Sequence, residues 1–254
     1  MVVGAAARTM APLQIVGLTG GIACGKSAVS AVASSLGLRV IDMDEISRRV
    51  VRRGLPAHAA IVKAFGTQVL RPDGELDRAA LGQLVFADRQ KRRALNSATH
   101  RPMLIQLLAE LDDAMSCGER AVLIDAPLLF ETGLHWLCAF IIVVSLSEAT
   151  QLERLQRRDG FSEEEARRRV ASQMPLTLKV ARADTVIDNE ADLHVLRQQA
   201  MSALRAAGAV PGQGDGARIV RLPRTRSRVV DVVLWLVLAV VRVAGVTPLP
   251  QANL

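Results

Sequence analysis

The sequence predicts an α/β protein with a doubly wound parallel sheet of about five strands. Five short apolar runs have the length and the β-branched content of buried strands. They lie at residues 13–18, 38–41, 121–124, 139–146 and 183–187. Segments with helical patterns separate the runs, and strands that alternate with helices favour a parallel sheet covered by helices on both faces. We therefore expect a three-layer arrangement.

The first strand runs directly into a glycine-rich loop. Residues 20–27 read Gly-Gly-Ile-Ala-Cys-Gly-Lys-Ser, and a helix is predicted directly after them. This spacing is that of the phosphate-binding P-loop, and the strand–loop–helix context argues against a chance glycine turn. Glycines let the backbone close on a phosphate, and the following helix adds its positive end. We predict that ATP binds to Gly20, Gly21, Ile22, Ala23, Cys24, Gly25, Lys26 and Ser27.

Two residues of this loop have side chains suited to phosphoryl transfer. Lys26 offers a mobile positive charge for the β- and γ-phosphates, and the Ser27 hydroxyl is a hard oxygen ligand for Mg²⁺. The predicted cofactors are therefore ATP and Mg²⁺. The Cys24 side chain is expected to point away from the phosphates. The three cysteines of the chain show no metal-ligand spacing, which indicates a reducing compartment.

Composition limits the class of protein. The chain has 254 residues and 50% hydrophobic residues, enough for one large domain or one domain with an appendage. The net charge is +7, and +4 of it falls in residues 211–254, which contain six arginines and two aspartates. Aromatic residues are only 3%, so stacking on exposed bases is not expected. The charge argues for a membrane surface near the tail, and no nucleic-acid partner is predicted.

Acidic residues follow the second and third predicted strands. Asp42 and Asp44 come after the second, and Asp125 and Glu131 bracket the run Asp-Ala-Pro-Leu-Leu-Phe-Glu after the third. Carboxylates at the carboxyl ends of parallel strands face the ligand crevice, where they can hold Mg²⁺ through water or accept a proton from an attacking hydroxyl. The alternative for Asp44 is that it caps a helix.

A long helical insertion separates the second and third strands. Residues 57–65 and 77–112 have helical patterns, with a break expected around His100, Arg101 and Pro102. We expect a lobe over about residues 48–115. Arg48 and its neighbouring arginines have two interpretations, a phosphate site or a solvated helix face. His100 is either a structural residue near a helix end or a substrate ligand.

Two further helices, at 149–158 and 163–172, are predicted to form a hinged lid over about residues 154–175. Ser162 and Glu165 have the spacing of a capping box. Arg154 and Arg158 are predicted to close over the transferring phosphates and neutralise their charge. The second lid helix is expected to carry exposed i,i+4 ion pairs between residues 163–165 and 167–169. Asn189 follows the fifth strand.

Together these stretches resemble the dephospho-CoA kinase family. The resemblance covers about residues 13–208, and its matching segments occur in the family's order: 17–27, 40–44 with Arg48, 95–96 with His100, 125–131, 158–159, 173–175, and 183–184 with 186–189. It implies transfer of the ATP γ-phosphate to the ribose 3′-hydroxyl of dephospho-CoA. Another small-molecule P-loop kinase, or a membrane-tethered nucleotide-binding switch, is the alternative.

The resemblance also implies roles for individual residues. Asp44 would be the base or the group that orients the hydroxyl, and Arg154 and Arg158 would clamp the phosphates. The family usually places proline directly after the histidine, whereas here Arg101 intervenes. The residues expected to bind the acceptor are Asp42, Arg48, His100, Asp125, Leu128 and Glu131, and Asn189 is expected to join the P-loop in binding ATP.

Both ends of the chain differ from the central part. Residues 1–12 are expected to be a disordered extension, with a weak organellar presequence as the alternative. Residues 209–228 read as a flexible basic linker, and 229–249 as a hydrophobic tail helix. Its uninterrupted apolar part is shorter than the roughly 20 residues of a spanning helix. A membrane anchor, a helix at the interface and docking back onto the kinase domain all remain open.

The tail also sets the expected location. It resembles an arrangement found in eukaryotic members of the family, so we expect an intracellular, membrane-associated enzyme with its kinase domain facing the cytosol. The organelle, the oligomeric state and any protein partner stay open.

Overall fold

The structure is a computed structural model that describes residues 13–86, 88–210 and 249. The described chain divides into two compact units. We call the first the sheet unit, which contains residues 13–40 and 117–210. The second, the helical unit, contains residues 41–116 and residue 249. The predicted N-terminal extension, and the predicted linker and tail from residue 211 to residue 248, lie outside the described residues.

The predicted parallel sheet of five strands is confirmed. The strands are β1 Gln14–Gly20, β2 Arg39–Asp42, β3 Ala121–Asp125, β4 Phe140–Ser145 and β5 Thr185–Asp188. Their order across the sheet is β2-β3-β1-β4-β5, and β1 pairs in parallel with both β3 and β4. The strand order reverses beside β1, and in open α/β sheets the ligand crevice lies outside the carboxyl ends at such a point.

Helices connect the strands. They are α1 Lys26–Ser35, α2 Met43–Arg49, α3 Pro56–Phe65, α4 Arg78–Phe86, α5 Arg89–Ser116, α6 Glu148–Asp159, α7 Glu163–Ala171, α8 Leu176–Val180 and α9 Leu193–Ala206. In the sheet unit, α1 and α9 contact each other and cover one face of the sheet. Val29 of α1 and Leu196 of α9 are buried in the same apolar cluster as Val16 and Ile142. Burial of these side chains fixes the helix that follows the P-loop against the strand that precedes it.

In the helical unit, α2 begins immediately after β2. The Asp42 carboxylate accepts hydrogen bonds from the backbone N–H groups of Asp44, at 2.7 Å, and Glu45, at 3.2 Å. The interpretation of Asp44 as the capping residue was therefore wrong, because Asp42 holds that position. An aspartate cap satisfies N–H groups that have no partner inside the helix.

The break expected around His100 does not occur. Helix α5 is 28 residues long, and it continues through Pro102. A proline inside a helix removes one backbone hydrogen bond and crowds the preceding turn. The buried residues that follow Pro102, including Leu107 and Leu111, belong to a helix that contacts α2, α3 and α4. This tertiary packing outweighs the local cost. The interruption instead lies between α4 and α5, where the Asp88 carboxylate accepts hydrogen bonds from the backbone N–H groups of Gln90 and Lys91 in the first turn of α5.

The described part of the chain contains no helix that is both long enough and apolar enough to cross a membrane.

Candidate functional site

The P-loop begins where β1 ends. Two of its glycines stand where no larger residue fits. Gly25 has φ +89°, and a Cβ there would lie 2.3 Å from Nδ2 of Asn189. A Cβ on Gly20 would lie 2.5 Å from the Val144 carbonyl oxygen of β4. Strand pairing and the close approach of Asn189 therefore set the backbone path of the loop.

Two side chains from later in the sequence hold this loop. Nδ2 of the buried Asn189 donates to the Cys24 carbonyl at 2.9 Å. Oε1 of Gln173 accepts from the Ile22 backbone N–H at 3.0 Å. The structure thus places Asn189, predicted from the sequence, in direct contact with the P-loop. Gln173 lay within a family-like segment, but no role was predicted for it.

The Cys24 side chain is buried in the core of the sheet unit. Its Sγ lies among the apolar side chains of that core. Burial raises the pKa of its thiol to about 11, although the Gly21 backbone and nearby cations act in the opposite direction. The thiol therefore stays protonated at neutral pH, and a protonated thiol is a poor nucleophile.

Lys26 and Ser27 form the first turn of α1, and the Ser27 side chain is exposed. One turn later, the Ser30 hydroxyl donates to Asp125 Oδ2 at 2.7 Å. Because Asp125 is the last residue of β3, this contact keeps its carboxylate beside the start of α1. Two hard oxygen groups, the Ser27 hydroxyl and the Asp125 carboxylate, therefore both lie at α1, the helix that follows the P-loop.

Helices α6 and α7, which the sequence predicts to form a lid, lie against the P-loop. Ile22 and Ala23 pack on a small apolar cluster formed by Leu152, Leu155 and Ala166. The predicted capping box at the start of α7 is present, with Ser162 and Glu165 each bonding to the other's backbone N–H. Apolar contacts therefore hold these two helices to the loop.

The two predicted lid arginines differ in their surroundings. Arg154 donates from Nη2 to the Asn189 carbonyl at 3.0 Å, and its Nη1 lies 3.8 Å from the position of a Cβ on Gly25. Arg158 instead forms two hydrogen bonds of 2.8 Å with the carboxylate of Asp159. That pairing raises the pKa of Arg158 and lowers that of Asp159. Of these two arginines, Arg154 is the one that contacts Asn189, the residue bound to the P-loop.

A buried lysine that sequence reasoning missed lies beneath the loop. Lys179 of α8 is 0% exposed. Its ammonium group donates to the Pro127 carbonyl at 2.8 Å and to the Gly20 carbonyl at 3.4 Å, and it lies 3.0 Å from Oε1 of Glu131. Lys179 therefore joins the first residue of the P-loop to the segment after β3.

The partner carboxylate, Glu131, is also bound by the backbone. Its Oε1 accepts from the Met174 N–H at 2.9 Å. Burial acts to raise the pKa of Glu131, but the hydrogen bonds from Met174, from its own backbone and from Lys179 outweigh burial, and the pKa is lowered. The carboxylate therefore stays ionised and bound within the sheet unit. Leu128, three residues earlier, is 44% exposed.

The remaining predicted residues belong to the helical unit. Asp44 and Arg48 are exposed on α2, and Oδ2 of the capping residue Asp42 lies 3.9 Å from Nη2 of Arg48. His100 is exposed within α5, two residues before Pro102. The structure therefore brings Asp42 and Arg48 together.

The chain is similar to proteins of known family. The family model described as Dephospho-CoA kinase matches residues 14–194. The dephospho-CoA kinase of Geobacillus kaustophilus is 46% identical over 190 residues, which is 75% of this chain and 94% of that protein. That of Bacillus cereus is 48% identical over 185 residues, 73% of this chain and 92% of the relative.

Solved structures agree with the sequence relatives. The protein TT1252 of Thermus thermophilus is 32% identical with a TM-score of 0.68, covering 77% of this chain and 98% of its own. The dephospho-CoA kinase of Campylobacter jejuni is 25% identical with a TM-score of 0.54, covering 78% and 98%. Since the family model matches well over half of the chain, the chain belongs to the dephospho-CoA kinase family.

Proposed function

We propose that this protein transfers the γ-phosphate of ATP to the ribose 3′-hydroxyl of dephospho-CoA, giving coenzyme A and ADP. The observation that supports this most strongly is the P-loop, held by Asn189 and Gln173 and faced by Arg154, in a chain that covers nearly the whole length of dephospho-CoA kinases. Phosphoryl transfer requires little covalent chemistry, so positioning and charge neutralisation supply most of the rate.

The sheet unit supplies the residues for the donor. Backbone N–H groups of the P-loop and the Lys26 ammonium bind the phosphates of ATP, and Arg154 neutralises the charge that develops during transfer. Mg²⁺ usually binds proteins through one or two oxygen ligands together with substrate phosphates. The Ser27 hydroxyl and the Asp125 carboxylate fit that requirement, and a bound Mg²⁺ would supply further neutralisation of phosphate charge. Arg158 binds the phosphates only after it releases the carboxylate of Asp159.

The helical unit supplies residues for the acceptor. Asp44 accepts the proton of the 3′-hydroxyl as its oxygen forms the new bond to phosphorus and the bond to ADP breaks. Arg48, His100 and Asp42 bind the acceptor. From the sheet unit, Leu128 offers an exposed apolar contact, and Glu131 acts through Lys179 and Met174 to position the segment after β3.

The test is a coupled assay on the full chain with Mg-ATP, using dephospho-CoA and adenosine as separate acceptors. We expect turnover on dephospho-CoA and little on adenosine. Asp44→Asn should lose transfer by at least about a hundredfold, the size of a general-base contribution, with unchanged ATP binding. Glu164→Gln, on the exposed face of α7, serves as the matched loss of one negative charge and should behave as wild type.

Other results would redirect the proposal. If Asp44→Asn weakens ATP binding while transfer survives at saturating ATP, the assigned role of Asp44 is wrong. Turnover on another small alcohol, with none on dephospho-CoA, would favour a different P-loop kinase. ATP binding without turnover on any acceptor would favour a nucleotide-binding switch.

For the tail we propose either membrane association or docking back onto the kinase domain. Its apolar run and basic flank support an intracellular, membrane-associated enzyme of the eukaryotic type, although the relatives compared above are bacterial. Docking is supported by one contact within the helical unit, in which the buried Arg49 donates from Nη1 to the Leu249 carbonyl at 2.5 Å. Fractionation distinguishes them, because recovery of the full chain entirely in the high-speed supernatant contradicts membrane association.

A further inference from the structure

A cavity of about 220 Å³ lies within the helical unit. Three guanidinium groups line it, those of Arg48 on α2, Arg71 in the turn after α3 and Arg78 at the start of α4. One water occupies about 30 Å³ in the liquid, so the cavity has room for a group of several heavy atoms. Its size and its cations suit a phosphate-bearing ligand.

Two acidic residues also line the cavity, but backbone groups already bind their carboxylates. Oδ1 of Asp77 accepts from the N–H groups of Ala79 and Ala80, each at 2.9 Å. Both carboxylate oxygens of Glu75 accept from the Arg53 N–H at 3.3 Å. These carboxylates shape the turn and cap α4, and among the described residues the ion pairs of Arg48 and Arg71 are formed with Asp42 and Asp73 instead.

The arginines are held close to one another. Nη2 of Arg78 lies 3.5 Å from the carbonyl oxygen of Arg48. The pKa of Arg78 is lowered, first by burial and then by the charge of Arg48, while Glu75 acts in the opposite direction. Within residues 13–86, 88–210 and 249, no carboxylate lies within 4.0 Å of the Arg78 guanidinium. An anion placed between these two cations would relieve their repulsion.

Arg71 has an exchangeable partner. Its Nη2 lies 3.1 Å from Oδ2 of Asp73, and both side chains are more than half exposed. Exposed ion pairs of this kind contribute little free energy, so a ligand can replace Asp73 at small cost. Guanidinium groups bind phosphate oxygens through pairs of parallel hydrogen bonds.

We propose that this cavity binds the diphosphate group of the acceptor substrate, through Arg71, Arg78 and Arg48. The inference rests on the proposed function, because dephospho-CoA carries a diphosphate between its ribose and its pantetheine arm. It assigns binding to Arg71 and Arg78, for which no role was predicted from the sequence. Adenosine lacks this diphosphate, so the cavity would also explain selectivity between the two acceptors.

The first experiment measures steady-state kinetics of the full-length Arg78→Gln and Arg71→Gln variants. Loss of a charged hydrogen bond should raise the KM for dephospho-CoA by about tenfold or more, whereas the KM for ATP should stay within about twofold. The control is Arg93→Gln, an exposed arginine of α5 that carries the same charge and should leave both constants unchanged. Arg78→Lys should recover part of the loss, because it keeps the charge but not the paired hydrogen bonds.

A second experiment separates this inference from the proposed function. Inorganic pyrophosphate is titrated calorimetrically into each protein with ADP in excess to fill the P-loop. Wild type and Arg93→Gln should bind it, and Arg78→Gln should bind it at least about tenfold more weakly. If wild type does not use dephospho-CoA but shows this pattern, the proposed function fails and the anion site stands. If Arg78→Gln and Arg71→Gln keep the wild-type KM and pyrophosphate affinity, the inference is wrong.

Discussion

At the scale of single residues, Gly25 and Gly37 allow a matched comparison. Both have left-handed backbone, with φ of +89° and +78°. A Cβ on Gly37 would meet nothing within 4 Å, whereas a Cβ on Gly25 would meet Asn189 at 2.3 Å. Alanine costs about 1–2 kcal/mol at either position because of the backbone conformation. Only Gly25→Ala should also displace Asn189 and break its bond to Cys24.

We therefore predict that Gly25→Ala weakens ATP binding at least about tenfold, a difference of about 1.4 kcal/mol, whereas Gly37→Ala lowers stability alone. Calorimetric titration with ATP and thermal unfolding of both variants check this. Equal ATP affinities in the two variants would show that the contact between Gly25 and Asn189 does not hold the loop.

Lys179 is the second test at this scale. Lys179→Met removes a buried cation and leaves Glu131 and two carbonyl groups without it. Loss of one partner of a buried ion pair is strongly destabilising, and we expect a fall of about 3 kcal/mol in the free energy of unfolding. Because the Gly20 carbonyl loses its support, the KM for ATP should rise as well.

Urea unfolding and ATP kinetics measure both effects of Lys179→Met. The exposed Lys63 of α3 gives the matched control, and Lys63→Met should change neither quantity. A stable variant with unchanged KM would refute the link between Lys179 and the loop.

Some of these residues could be predicted from the sequence and others could not, for a physical reason. The P-loop residues are neighbours in the chain, so their spacing alone predicts them. Lys179 and Gln173 act on Gly20 and Ile22, which lie 159 and 151 residues away in the chain. Contacts over such separations leave no periodic pattern. A lysine among apolar residues in the short segment 176–180 was the only signal.

At the scale of elements, local contacts were predictable and tertiary ones were not. The capping box of α7 depends on residues three apart, and it was predicted correctly. The continuity of α5 through Pro102 depends on packing against other helices, which local propensity cannot show. A cap at Asp44 was one of two interpretations of that residue, and the end of β2 instead places Asp42 at the cap.

Removal of the α7 cap tests how firmly the first turn of this helix is held. We expect Ser162→Ala to cost about 1 kcal/mol of local helix stability, because the Glu165 backbone N–H loses the Ser162 hydroxyl that accepts its hydrogen bond. Amide exchange in α7 should then quicken about fivefold, while exchange in the central strands stays the same. Ser172→Ala, at the opposite end of the same helix, removes a hydroxyl that donates to the Arg169 carbonyl and should have a smaller effect. Faster exchange throughout the sheet unit would contradict a local role.

At the scale of the whole molecule, the alternation of strands and helices predicted the parallel sheet but not its order. The position of β1 between β3 and β4 depends on which strands pair, and pairing is a long-range choice. The P-loop was predicted without that knowledge because it needs only the strand before it and the helix after it. The arginine cavity was not predicted, because it joins three arginines from α2, α4 and the turn after α3.

Several carboxyl groups link folding of the whole molecule to pH. Backbone hydrogen bonds lower the pKa of Asp88, at the start of α5, and of Asp192, at the start of α9. The Ser147 N–H does the same for Glu190. Each group is more acidic in the folded chain than its usual value of 3.8 for Asp or 4.5 for Glu. Their contribution to stability is therefore complete above the unfolded pKa and is lost as the pH falls through the folded pKa.

We predict a flat urea midpoint from pH 7 to about pH 5.5 and a continuous fall below about pH 5. The double variant Asp88→Asn and Asp192→Asn isolates the two caps, because asparagine caps helices nearly as well as aspartate but does not titrate in this range. Its midpoint at pH 7 should lie near that of wild type, and its fall on acidification should be shallower. The reason is that an uncharged cap binds no extra proton when the chain unfolds. Parallel curves for the two proteins between pH 5 and pH 3 would show that these caps do not couple folding to pH.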